Sequence, residues 1–490
     1  MVVEKTEHVE AEPSPAARHH EDGDEEGMDE KRNARFNRRL DLRVLPLCCW
    51  LYLLNFLDRG NIGNARILNK ETGDDLMTQT GMSSQGYAIT LTLFSVAYAV
   101  FEVPSNWVMK HHVRPSVWLA VLLYVMSRAP GIVYVITIWY RHNERAVRIA
   151  LVIAFCNLAG AFGGAIAYGI GHINGAGGLE GFRWLFIIEG IITMLSVLPT
   201  LLILPDYPSR DKWLSESDRQ FAENRLKERG GGYNREHASR KEILETFFSP
   251  RMLAHYLAYV SRPPPLFFLP NRKLKILIGL CLTFASTDSC PSRGASQVAN
   301  VVLQGSFTFF APTIVAGLGY QSVEAQLMTV PPWVVGFVVA IALSYTADRW
   351  NARGWHVAGL SVAGGAGWLT AGLLPPEAYA SRYGCLCLAA AGAFPCAPAM
   401  TNWVTCNTPS LLTIPFAIAL HNSCAGLGQI VAQWIWKADE AAAGFPTGNF
   451  VCAACSFFVA IVATGLRLWY GRMNRVGALD ARGEKRIWSY

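Results

Sequence analysis

The sequence predicts an all-α integral membrane protein, and three observations point there. Of its 490 residues 51% are hydrophobic and 16% are charged, with a mean hydropathy of +0.22, whereas soluble domains carry about 25% charged residues. The apolar residues gather in runs long enough to cross a bilayer core of roughly 30 Å, which takes about 20 residues of helix. Lys and Arg concentrate in alternate connections between those runs, as the positive-inside bias requires. Composition alone excludes a water-soluble enzyme of this size.

Residues 1–42 read as a cytoplasmic, disordered tail, first acidic and then basic. Met1 to Glu30 holds eleven acidic residues against Lys5 and Arg18, with almost no large apolar side chain to bury. A basic cluster from Lys31 to Arg43 follows. No basic segment leads into a short apolar one, so insertion is expected to rest on internal spans. An N-terminal helical half, 43–205, contains the runs Val44 to Ala65, Gly86 to Met109, Ser116 to Tyr140, Ile149 to Gly171 and Trp184 to Leu204. Residues 206–255 form a polar cytoplasmic loop of dense mixed charge, broken at Gly230, Gly231 and Gly232. Residues 256–297 are irregular: a proline run, a basic cluster, and an apolar stretch from Leu274 to Ala285 too short to span. A C-terminal helical half, 298–471, holds Val298 to Leu318, Val330 to Ala347, His356 to Leu374, Tyr383 to Val404, Thr413 to Trp436 and Phe450 to Tyr470. Residues 472–490 are a second cytoplasmic tail.

The formal charge of +6, from 43 basic and 37 acidic residues, belongs to these loops and not to a nucleic-acid surface. Lys110 with Arg114, Arg141 with Arg145 and Arg148, Arg349 with Arg353, and Arg472 with Arg475 share the cytoplasmic side with the tail and the central loop. The opposite side receives Glu71 to Asp75, Glu377, and Asp439 with Glu440. One conflict stands out. Arg114 and Arg141 belong on the same side, which needs an even number of crossings, yet the 26 residues between them make one helix. Most of the twelve cysteines lie in apolar runs, where a small reduced thiol packs as a hydrophobe. Cys452 and Cys455, one turn apart, read the same way.

Several segments together resemble the major facilitator superfamily, in particular the fungal anion:cation symporters of allantoate, nicotinate and pantothenate. They are LPLCCWLYLLNFLDRGNIGNA from Leu45, YAVFEVPSNWVMK from Tyr98, PGIVYVITIWYRHNERAVRIA from Pro130, LAGAFGGAIAYGI from Leu158 and FRWLFIIEG from Phe182. The second half adds FAPTIVAGLGY from Phe310, AQLMTVPPWVV from Ala325, the loop from Asp348, and FPTGN from Phe445. The resemblance implies the major facilitator fold, two six-helix halves with both termini cytoplasmic. It also implies that one helix is lost between residues 124 and 130, which resolves the charge conflict, and that the proline-rich segment near 261–292 is a mis-spliced insert. The lost part includes an Arg and an acidic residue that relatives carry on helix four. The segment LLTIP from Leu411 departs from relatives, which commonly place a basic residue there.

Ionisable groups in a span cost at least about 2.5–3.5 kcal/mol each, so those present face a cavity or a partner. Arg59 reads as a substrate-anion contact with Asp58 as its charge partner or a proton carrier, and Asn61 beside them as a substrate contact; the alternative is a charge cluster at a helix end. Glu102 reads either as a proton site, since burial favours a neutral carboxyl, or as a packing residue bonded to Asn106; Tyr98 precedes it by one turn. Glu189 is a further proton candidate, set against pairing with Arg183. Asn402, Trp403, His421 and Asn422 offer amides, an indole and an imidazole to a small carboxylate, or serve interhelical hydrogen bonds. Gly160 and Gly164 read as a close-packing pair. Lys110, Arg114, Asp348, Arg349 and Arg353 resemble the paired cytoplasmic loops that latch the two halves during rocking.

The leading expectation is a monomeric plasma-membrane transporter that takes up a small organic anion with protons, nicotinate-like from the match at KADEAAAGFPTGN (Lys437 to Asn449). The membrane potential supplies about 2.3 kcal/mol per charge per 100 mV to such symport. No metal or cofactor is expected. The alternatives are an inactive carrier or nutrient sensor of the same fold and, remotely, an intramembrane enzyme, against which stands the lack of G-x-S-x-G and H-E-x-x-H motifs.

Overall fold

The computed structural model describes residues 15–207, 213–227, 292–407 and 426–476, apart from 112, 126–131, 133–134, 137, 321, 351 and 427. Every regular element among them is helical. In the N-terminal half these are α1 (Pro15–Ala65), α2 (Ser84–His111), α3 (Pro115–Val125), α4 (His142–Gly171), α5 (Gly181–Leu195) and α6 (Val197–Ile203). Helix α7 (Glu216–Lys227) belongs to the central loop. The C-terminal half contains α8 (Ser292–Ala316), α9 (Ser322–Met328), α10 (Val330–Arg349), α11 (Arg353–Leu373), α12 (Tyr379–Ala393), α13 (Cys396–Asn407) and α14 (Pro446–Val476). Among the described residues seven stretches are long and apolar enough to cross a membrane: Lys31–Thr72, Val147–Gly171, Gly181–Ile203, Ala299–Ala316, Val323–Ala347, Tyr379–Thr401 and Pro446–Arg472. Helices α2 and α11 cover two more of the expected runs.

The start of the expected tail, 1–14, lies outside the described residues, and α1 begins at Pro15. The charged stretch is rich in Glu and Arg, which favour helix on intrinsic propensity. Pro46 lies inside α1; the chain divides there into two compact units, Met1–Pro46 and Leu47–Tyr490. The expected helix loss at 124–130 and the insert at 261–292 fall outside the described residues, as does most of the run from Thr413.

Within the larger unit the halves meet along an antiparallel seam of glycines against bulky groups. A Cβ on Gly160 of α4 would overlap the Trp333 indole of α10, and one on Gly164 would overlap Thr329. Farther along, Gly171 faces Val323, and the Phe155 and Phe337 rings meet edge-on at 6.4 Å. The expected packing role of Gly160 and Gly164 therefore has a specific partner. Gly63 of α1 likewise admits the Phe309 carbonyl of α8. An aromatic hub fills the C-terminal half, with Phe307 between 5.1 and 6.1 Å of Phe394, Trp368 and Trp333. Such ring pairs each contribute about 0.5–1.5 kcal/mol beyond burial.

Candidate functional site

The candidate site lies between the halves. A cavity with about 20 Å³ of free space is walled by Phe56, Gly60 and Asn64 of α1, Cys156 of α4, Thr308 of α8 and Trp333 of α10. That volume holds on the order of one water molecule, so a small organic anion enters only if the helices separate. Residues 56, 60 and 64 recur every four positions and share one face of α1. Asn64 also ties the halves, its carbonyl accepting from Gln326 Nε2 at 3.1 Å, while its amide donates to Gly163 at 3.4 Å within the N-terminal half.

Another face of α1 meets α5. Asn61 donates to Glu189, Thr193 donates to Asp58 at 3.5 Å, and Trp50 donates to Ser196 at 2.9 Å. Glu189 is 3% exposed, and its Oε1 and the Oδ1 of Asn61 have no hydrogen-bond partner. An orphaned buried carboxylate oxygen beside an orphaned amide oxygen is unfavourable. Turning the Asn61 amide over and placing a proton on Glu189 puts a donor between the two oxygens; amide orientation is set by such networks. Arg183 does not pair with Glu189. It binds Glu180 at 2.5 Å.

Two guanidiniums, one on α1 and one just past its end, are also buried. Arg59 lies 5.6 Å from the Phe56 ring centre and 5.9 Å from that of Phe94. Arg66, absent from the residues expected from sequence, lies 4.7 Å over Tyr87 and 5.3 Å over Phe310, with its Nη1 buried and without a hydrogen-bond partner. The signal was present as a second Arg seven residues after Arg59, immediately past the end of the same run. Gln433 was missed as well: its Nε2 donates to Ser95 of α2 at 2.8 Å, and its Oε1 accepts from Thr92 at 3.2 Å, joining the halves.

The remaining expected site residues divide. Trp403 is buried against Tyr470, ring centres 5.9 Å apart, and beside Gly354, and is not among the walls of this cavity. Its apolar body fills the junction of α11, α13 and α14. Tyr98, Glu102 and Lys110 lie on α2, Asp348 on α10 and Asn402 on α13, with side chains outside those described; His421 and Asn422 lie outside the described residues altogether. Arg114 and Arg349 are exposed beside the α2–α3 and α10–α11 turns, and Arg353 opens α11. Among the described residues no cluster of His, Cys, Asp or Glu is placed to hold a metal.

Two groups outside the spans have shifted ionisation. Hydrogen bonds from Asn174 at 2.7 Å and Thr72 at 2.8 Å hold the Asp74 carboxyl below its ordinary range. Burial lowers Arg225 of α7 to about 10, against the opposing attraction of Glu144 3.7 Å away. Arg225 also donates to the Trp139 carbonyl at 2.8 Å, so the central-loop helix is fastened to the start of α4.

Comparison with known proteins decides the family. The Major Facilitator Superfamily domain matches residues 125–433. The chain is 41% identical to the MFS transporter prlL of Fungal sp. (strain NRRL 50135), over 90% of this chain and 88% of that one. The chain belongs to the major facilitator superfamily. It is also 29% identical to the MFS-type transporter cnsO of Penicillium expansum, over 85% of this chain and 80% of that one. In fold it resembles the E. coli fucose:proton symporter, FucP, with a TM-score of 0.51 and 13% identity over 86% of this chain and 97% of that one. As a superfamily member it is an integral membrane transporter and not an enzyme, and the cavity between its halves lies where rocking of the halves would expose a site to either side in turn.

Proposed function

We propose that this transporter takes up a small organic anion together with protons at the plasma membrane, as a monomer with both termini cytoplasmic. The observation that carries the proposal is the polar character of α1. The helix that walls the inter-half cavity has a carboxylate–amide cluster with Glu189 on one side and carries the buried cation Arg59, with the buried Arg66 one residue past its end. A cation without bulk water favours an anionic ligand. A carboxyl group beside an amide with an unmatched oxygen favours a proton that comes and goes. Glu189, assisted by Asp58, is the proposed proton carrier; Glu102 is the second candidate. Arg59, with Asn61, is the proposed anion contact. The carboxylate class, nicotinate first, follows the resemblance around Lys437 to Asn449.

Uptake of labelled nicotinate and of a panel of other monocarboxylates into cells expressing the chain tests this. Uptake should rise at acidic external pH and collapse with a protonophore. Carboxylate uptake indifferent to both removes the coupling, and flux of neutral solutes alone removes the anion. The second reading, an inactive carrier or a sensor, is favoured by the short connection around residues 124–130. The alignment with prlL runs over 472 positions, longer than the share of this chain it engages, so prlL has residues without a counterpart here. A sensor binds the carboxylate without flux, whereas an inactive carrier does neither. Sequencing the spliced transcript across 122–133 and 259–298 tests the origin of that difference.

A further inference from the structure

A second cavity, outside the proposed transport site, lies in the C-terminal half at the end opposite the Arg349–Arg353 turn. It also has about 20 Å³ of free space, on the order of one water molecule or one monatomic ion. Its walls include Trp368 of α11, Arg382 of α12, Trp436, and Gly444, Phe445 and Asn449 at the start of α14. Arg382 is 6% exposed. Its Nε donates to the Ala371 carbonyl at 3.3 Å, its Nη1 to the Pro376 carbonyl at 3.4 Å, and its Nη2 to the Gly444 carbonyl. Gly444 sits at φ 74°, and a Cβ there would run into the guanidinium, so the backbone is shaped around this cation.

What the site lacks is a paired carboxylate: Glu377 attracts Arg382 from an exposed position without forming an ion pair. Among the described residues no carboxylate lies within ion-pair distance of Arg382. Glu440, in the neighbouring loop, accepts from the Thr447 backbone at 2.9 Å and its hydroxyl at 2.5 Å, with Lys437 at 3.8 Å. Three neutral carbonyls therefore face a full buried charge, and a guanidinium has five N–H groups, more than those bonds use. Trp368 is 1% exposed, and its indole N–H has no acceptor. Two buried donors without an anion line one ion-sized space, and the desolvation cost of an uncompensated charge is large.

We propose that this cavity binds a single monovalent inorganic anion of halide size, held by the guanidinium of Arg382 and the indole N–H of Trp368. Binding there joins three connections of the C-terminal half and stabilises their closure independently of transported substrate. The test uses the purified full chain, titrated with sodium chloride against sodium gluconate at constant ionic strength and followed by Tm and by calorimetry. Chloride should raise Tm saturably, and gluconate, too large for the space, should not. Trp368→Phe keeps an aromatic ring at the position, though a smaller one, and removes one donor to the ion, so its chloride midpoint should rise about tenfold. Arg382→Gln should abolish the chloride response. Should Arg382→Gln fail to fold, the Trp368→Phe titration still decides. Equal Tm curves in chloride and gluconate for the native chain overturn the proposal, as does a Trp368→Phe midpoint equal to the native one. A shift with acetate or nicotinate that chloride fails to reproduce assigns the cavity to an organic carboxylate instead and overturns the halide.

Discussion

Glu189 and Asp74 are both carboxylates that accept from an asparagine amide, and their settings give them opposite roles. Glu189 is buried against Asn61, with one oxygen unmatched. Replacing it with Gln keeps an amide that bonds Asn61 in either orientation, while removing the titratable proton. Glu189→Gln should therefore leave carboxylate exchange across the membrane intact and make net uptake insensitive to external pH. Exchange and uptake measured side by side check this, and unchanged pH dependence in the variant would exclude Glu189 as the carrier. Asp74 is held ionised by Asn174 and Thr72. Its folded value lies below its unfolded one, so its contribution is present above the ordinary carboxylate pKa, about 3.9, and is lost as pH falls through the depressed folded value. Between pH 5 and pH 2 the native protein should lose Tm more steeply than Asp74→Asn, which has no such group to protonate. Single ionisable residues in apolar runs were readable from sequence, and Arg59, Asp58 and Glu189 are buried or half-buried on α1 and α5 as that logic requires. Their partners were not, because Asn61 and Glu189 are 128 residues apart and spacing does not say which helices adjoin.

At the level of helices, hydrophobic runs of bilayer length fix where elements lie, and polar or small residues fix which of them touch. Helix existence was therefore readable, while α1 extends well before its apolar run because charged helix formers continue it. Contacts depend on side-chain volumes on two distant faces, as at Gly160. Gly160→Leu would drive a side chain into the Trp333 ring, and overpacking of this kind costs about 1–3 kcal/mol. Gly169, on the same helix, meets nothing within 4 Å, so Gly169→Ala serves as the control. Thermal unfolding in detergent should show a clear drop in Tm for the first and a change near zero for the second; equal behaviour would remove the seam as a source of stability. Arg225 makes the corresponding case for α7. Arg225→Ala removes the donor to the Trp139 carbonyl and the ion pair with Glu144, and should expose the central loop to trypsin at lower protease concentrations than in the native chain.

At the scale of the whole molecule, the pairing of α4 with α9 and α10 determines how the transporter moves. The two-half plan was readable from the charged central loop and the alternation of Lys and Arg. The seam was not, since its glycines and their bulky partners occupy separate halves of the chain. In this structure the seam is closed from Phe155–Phe337 to Gly171–Val323, and Gln326 and Gln433 add hydrogen bonds between the halves. With about 20 Å³ left between α1, α4, α8 and α10, transport requires this seam to part once per cycle. Gly171 and Val323 allow that motion to be stopped deliberately. A Cβ on Gly171 would stand 3.1 Å from a Val323 methyl, close enough for a disulfide between cysteines, whose Cβ atoms sit about 3.5–4.5 Å apart. In a background without reactive cysteines, Gly171→Cys with Val323→Cys should cross-link on mild oxidation, lose nearly all uptake, and regain it on reduction, while each single variant is unaffected by oxidant. Full cross-linking with undiminished uptake would mean that the seam stays closed throughout the cycle and that the substrate passes elsewhere.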